Sequence, residues 1–166
     1  MKIADIDIKD SFTVNEAGKK TGVLAKDLGF NSYETAQLSA AATATLRGLQ
    51  ADEKPAIFGL GIKKVNNRYG AVFSFPGKIP DESCSAFDLI NKHKSGEGCR
   101  TEAVKLIKSE GFIPGREFLR RERERVTRKT EAQLNRELKY KTADLERLLD
   151  ELKTKSEKLV CLQKLL

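Results

Sequence analysis

Acid–base, nucleophilic and metal chemistry each require particular side chains at particular spacings, and this 166-residue chain offers few of them. Its three cysteines, Cys84, Cys99 and Cys161, are widely separated and lack both CxxC pairing and the accompanying histidines of a zinc site. The single histidine, His93, falls in the polar segment HKSGEG, read as an exposed loop. No carboxylate pair or Cys/His dyad stands out, and neither Cys84 nor Cys99 has a basic helper at fixed spacing to generate a thiolate. No catalytic residue, metal ligand or cofactor is assigned, and the thiol pattern points to a reducing compartment. The most telling interval lies between Gln37 and Asp52, where no Glu, Asp or Asn occurs. Whatever that segment does, it lacks the oxygen ligands that hard cations require.

Composition sets the frame for those residues. Hydrophobic residues make up 39% of the chain and charged ones 33%, too much charge for all of it to enter one core. The net charge is +7 and is uneven: residues 1–113 carry 16 basic and 14 acidic side chains, residues 114–166 carry 15 and 10. A globular domain over 1–113 and an elongated element over 114–166 fit this division. The start, MKIADIDIKD, alternates acidic and apolar residues without a signal-peptide core, and no window approaches the ~18–20 apolar residues of a membrane span. A soluble, cytoplasmic protein is expected, with no membrane partner.

The elements can be read in order. Ala4, Ile6 and Ile8 alternate with polar residues, the period of a half-buried strand. Thr13 and Glu16 have capping-box spacing, and the helix they open ends at Gly29. Asn31 and Glu34 repeat the signal before a helix rich in Ala, Thr and Ser that runs to about residue 50. AIFGLGI and YGAVFSF, joined through Asn66 and Asn67, predict a hairpin. Beyond Pro80, a short helix over 86–91 and a further helix over 102–109 are expected, the latter turning Ala103, Val104, Leu106 and Ile107 inward.

From Arg116 onward there is no proline or glycine, and strong helix formers dominate, so one helix of roughly fifty residues is predicted. Leu138, Leu145, Leu152, Leu159 and Leu166 recur every seven residues, and Leu134, Leu148 and Leu162 fill intervening positions. Such a seam, averaging about 3.5 residues, marks a coiled coil and a homodimer through these leucines. Lys141 and Lys155 interrupt it, which favours two strands over more enclosed assemblies. The seam runs to Leu166 without a terminator, leading one to expect continuation into an output domain in related longer proteins.

The succession of strand, helix, LAKDLGF, small-residue helix, hairpin and FPGKIPD resembles the bacterial anti-sigma-factor serine kinases and stress-signalling switch kinases. Those belong to the Bergerat-fold (GHKL) ATPases, and the resemblance covers residues from about 3 to 112. FPGKIPD is similar to the end of the motif DxGPGIPD, and SGEGCRTEAVKLI to the glycine-rich lid and its following helix. The resemblance implies an α+β fold, a partial Bergerat-like two-layer α/β sandwich, followed by the long coiled-coil helix. It also implies a nucleotide site between the second helix and the sheet, whose polar residues are missing here. The activating glutamate and the Mg²⁺-ligating asparagine one turn later fall at Ala44 and Gly48. The adenine-binding aspartate falls at Ser74 and a base-approaching glycine at Lys78, and of the lid only Gly96 and Gly98 remain. The last two strands of that fold have no counterpart in this reading.

Phosphoryl transfer is therefore expected to be lost. The leading expectation is a non-catalytic signalling module, in which a degenerate ATPase-like domain binds a regulatory protein and the coiled coil dimerises it. Ligand binding without turnover in the old cleft, lined by Ala40, Ala44, Thr45 and Phe75, is a further option. The alternative is a nucleic-acid-binding protein like a basic leucine zipper, because Arg116, Arg120, Arg121, Arg123, Arg125, Arg128 and Lys129 precede the seam. Interleaved Glu117, Glu122, Glu124 and Glu131 speak against it, since such alternation makes intrahelical ion pairs.

Overall fold

A computed structural model describes residues 1–50, 56–95, 98–108 and 112–163, the side chains at 50, 94, 95, 98, 99 and 161–163 excepted. It has an α+β architecture that divides into two units, Met1–Thr127 and Arg128–Leu166. In the first unit, strands β1 (Lys2–Ile8), β2 (Ala56–Val65), β3 (Arg68–Pro76), β4 (Leu89–Ser95) and β5 (Gly98–Leu106) form one sheet in the order β1-β2-β3-β5-β4. Every neighbouring pair is antiparallel. Between β1 and β2 run two helices, α1 (Ser11–Asp27) and α2 (Ser32–Gln50). With two helices between them the chain turns three times, at β1–α1, α1–α2 and α2–β2, and an odd number of turns brings β2 back antiparallel to β1.

Local chemistry fixes the helix ends. Asp10, not Thr13, is the N-cap of α1: its Oδ1 accepts from Thr13 N at 2.9 Å while Thr13 Oγ1 accepts from Asp10 N at 3.0 Å. Thr13 is the reciprocal member of that box, and Glu16 is buried one turn further on. At the other end Gly29 takes φ +83°, and Gly29 N and Phe30 N donate to the carbonyls of Lys26 and Ala25. This left-handed cap strains any residue with a Cβ. Asn31 and Glu34 form the expected capping box of α2, Glu34 N donating to Asn31 Oδ1 at 2.8 Å and Asn31 N to Glu34 Oε2 at 3.3 Å. The β2–β3 turn also follows the sequence reading, with Asn66 at φ 46° and Asn67 at φ 68°. Two positive φ angles match the twist of a tight hairpin.

The sheet alternates. Phe58, Leu60 and Ile62 of β2 and Ala71, Phe73 and Phe75 of β3 are buried in one core with Val14, Ala17 and Leu24 of α1 and Leu38, Ala42 and Leu46 of α2. Where the helices meet, glycine and serine allow close approach: Ser39 Oγ donates to Gly18 O at 2.8 Å, and a Cβ on Gly18 would lie 2.1 Å from Thr43 Oγ1.

Beyond residue 80 the structure corrects the expected order of elements. The short helix is α3 (Asp81–Cys84), not 86–91, and the segment expected to contain a lid and a helix over 102–109 is the β4–β5 hairpin. Residues 100–103 run exposed, buried, half-buried, buried, a period of two, and β5 pairs with β3 along Gly70–Pro76. That ladder outweighs the helix propensity of the segment. Two strands, β4 and β5, thus follow β3 in the sheet, and His93 lies on β4 rather than in a loop.

The helix predicted from Arg116 is two helices. α4 (Arg116–Thr127) belongs to the first unit, and α5 (Glu131–Gln163) to the second. Glu122 and Val126 are buried and Phe118 and Leu119 half-buried, with α4 lying against β1 and α1. The break at 128–130 carries a new capping box, Gln133 N donating to Thr130 Oγ1 at 3.2 Å and Thr130 N to Gln133 Oε1 at 3.0 Å. A threonine cap competes with helix continuation even without proline or glycine.

Candidate functional site

The positions singled out by resemblance do not converge. Ala44 and Gly48 are exposed on α2, and a Cβ added to Gly48 would meet nothing within 4 Å. Ser74 is half-buried on β3, between Phe73 and Phe75; since these two face the helices, Ser74 faces the other side of the sheet. Lys78 is exposed in the connection after β3. Gly98 begins β5, and Gly96 lies outside the described residues.

The space between α2 and β3 is filled. Ile79, Ala86 and Phe87 are buried in the core, and Phe87 packs its ring 5.7 Å from Phe73 and 6.1 Å from Phe75. Of the residues suggested to line an old cleft, Thr45 and Phe75 are buried while Ala40 and Ala44 are exposed. Thr45 Oγ1 donates to Ala41 O at 2.8 Å, so this hydroxyl is satisfied within its own helix.

The open face of the sheet carries the polar residues instead. A shallow concavity of about 540 Å³ is lined by Asp5, Gly59, Ser74, His93, Arg100 and Glu102, among others. The pairing registers explain the grouping: Asp5 lies opposite Gly59, Gly59 opposite Ser74, and Ser74 opposite Glu102. A Cβ on Gly59 would sit 3.5 Å from both Arg100 Nη2 and Asp5 Oδ1, so the bare glycine opens the floor between them. Glu102 accepts from Lys63 Nζ at 3.2 Å and has His93 Nε2 at 3.6 Å. These charges largely compensate one another at an exposed surface, and no side chain is arranged there as a nucleophile with its base. A period-two reading of residues 98–106 would have found Arg100 and Glu102 on one face.

Among the described residues no group of three His, Cys, Asp or Glu could hold a metal ion, and no helix is long and apolar enough to cross a membrane. Cys84 Sγ donates to Pro80 O at 3.4 Å, and the side chains of Cys99 and Cys161 lie outside the described residues. Three of the basic-helix arginines are engaged within the first unit. Arg123 donates to Lys2 O at 3.1 Å, Arg125 Nη1 to Asp27 Oδ2 at 2.6 Å and Arg121 Nε to Glu122 Oε1 at 3.3 Å.

The second unit presents its leucines outward. Leu134, Leu138, Leu145, Leu148, Leu152 and Leu159 are all exposed, between 48% and 64%; the side chains of Leu162 and Leu166 lie outside the described residues. No protein-family model matches the chain, and no curated protein matches it.

Proposed function

We propose that the protein is a non-catalytic regulatory module: a degenerate Bergerat-like two-layer domain that binds a regulatory protein, dimerised by α5. The observation that carries the reading is the leucine row of α5, about as exposed along Leu134–Leu159 as a surface residue ordinarily is. A soluble helix keeps such a row when a partner covers it, since each fully buried leucine contributes roughly 1.5–3 kcal/mol. Loss of nucleotide chemistry is supported by the missing acids between Gln37 and Asp52 and by Ile79, Ala86 and Phe87 occupying the helix side of β3. With Ala44 and Gly48 on the outside of α2, that face is smooth and accessible to a protein partner.

The nucleic-acid alternative loses support from α4. A basic region must be free to enter the major groove, whereas α4 buries Glu122 and Val126 and engages Arg121, Arg123 and Arg125. Calorimetric titration with ATP, with and without Mg²⁺, is expected to give no heat of binding at micromolar concentrations. Micromolar affinity would overturn the inert-site reading.

A further inference from the structure

We propose that α5 pairs antiparallel with α5 of a second copy, in a register centred on Asp150. This rests on the reading that the leucine row dimerises and adds its direction and register. In the seam, Leu138, Leu145, Leu152 and Leu159 occupy one core position, while Leu134, Lys141, Leu148 and Lys155 occupy the other. A parallel pair stacks like on like, so Lys141 would face the partner's Lys141 and Lys155 the partner's Lys155. An antiparallel pair instead sets each core position against the other kind.

Centred on Asp150, that arrangement places Leu148 opposite the partner's Leu152, Leu145 opposite the partner's Lys155 and Lys141 opposite the partner's Leu159. Each lysine then lays its aliphatic stem against a leucine while its ammonium reaches the edge. Lys155 emerges beside the partner's Asp144.

The flanking positions point the same way. A parallel pair would bring Asp144 against the partner's Leu149, Glu137 against the partner's Thr142 and Glu151 against the partner's Ser156, with no ion pair among them. In the antiparallel register Asp144 meets the partner's Lys158 on both sides of the axis. Leu149, 57% exposed and off the seam, meets the partner's Leu149 at the centre. The one unfavourable contact is Glu151 against the partner's Glu151 at the solvated rim, where like charges repel weakly. Sliding the register by one heptad removes the Leu149 contact; in one direction it sets Asp144 against the partner's Glu151, in the other it exchanges the Asp144 pairs for Glu151 against the partner's Lys158 but sets Leu149 against the partner's Ser156. This antiparallel arrangement accounts together for the interrupted seam, the off-seam leucine and the flanking charges.

The test uses the full chain with Cys84→Ser, Cys99→Ser and Cys161→Ser, labelled with a nitroxide at Arg136→Cys. Light scattering on the same sample should give a dimer mass, and pulsed dipolar spectroscopy a separation of about 40 Å, from roughly 28 residues of helix rise. A dimer with labels within about 20 Å, as aligned chains would place them, overturns the antiparallel register but leaves dimerisation standing. A monomer overturns both. Charge reversal probes the register: Asp144→Lys and Lys158→Asp should each weaken dimerisation about tenfold, and the double variant should restore it. Failure of the double variant to restore affinity overturns the register centred on Asp150.

Discussion

Glu122 is the residue whose environment conflicts most with its charge. It is fully buried on α4; burial first, then the neighbouring Asp27 carboxylate, push its pKa above the usual carboxylate range. As a carboxylate its Oε2 has no hydrogen-bond partner, whereas as an acid it can donate to Asp27. A carboxyl with a raised folded pKa costs stability that grows as pH climbs from the ordinary value and is complete above the folded one. Glu122→Gln is therefore expected to stabilise the protein by about 1–3 kcal/mol at pH 8, with the gain vanishing toward pH 4, read by denaturant unfolding. Glu34 has the opposite sign. Its hydrogen bond from Lys108, with Nζ 2.6 Å from Oε1, holds its pKa below the usual range. That stabilisation is present above the ordinary carboxylate pKa and is lost as pH falls through the folded value. Lys108→Gln should thus lower the melting temperature at pH 7 and leave it unchanged in strong acid.

At the scale of elements, the α1–α2 pair depends on small residues at its crossing. Gly18 already has Thr43 in its way, and Ser39 bonds to its carbonyl, so Gly18→Leu should cost about 1–3 kcal/mol by overpacking. An unchanged unfolding midpoint would show that the two helices separate freely. The β4–β5 hairpin is the element that most changed the expected architecture. Read alone, Ala103, Val104, Leu106 and Ile107 suit a helical face as well as a strand. Only β3, lying in register along Gly70–Pro76, decides between them, because short apolar runs are ambiguous without their pairing partner. The α4 break has the same character: Thr130 and Gln133 fit helix interior and cap alike, and burial of Glu122 and Val126 selects the cap.

At the scale of the whole molecule, function is read from what each unit leaves exposed. If α5 dimerises the protein, Leu145→Lys together with Leu152→Lys should convert a dimer to a monomer by light scattering without altering the unfolding of the first unit. Unchanged mass would remove the seam from the interface. The sequence by itself determined the αα pair with its Asn31 and Gly29 caps, the β2–β3 hairpin and the leucine repeat. Each of these is local, set by a capping side chain, a backbone angle or a period within one segment. Tertiary structure decided the β4–β5 hairpin, the docking of α4, the filling of the space beside Phe73 and Phe75, and the separation of Ser74 from Ala44 and Gly48. Those depend on which distant segment comes to lie alongside, and a strand's two faces acquire their meaning only once a core has been chosen.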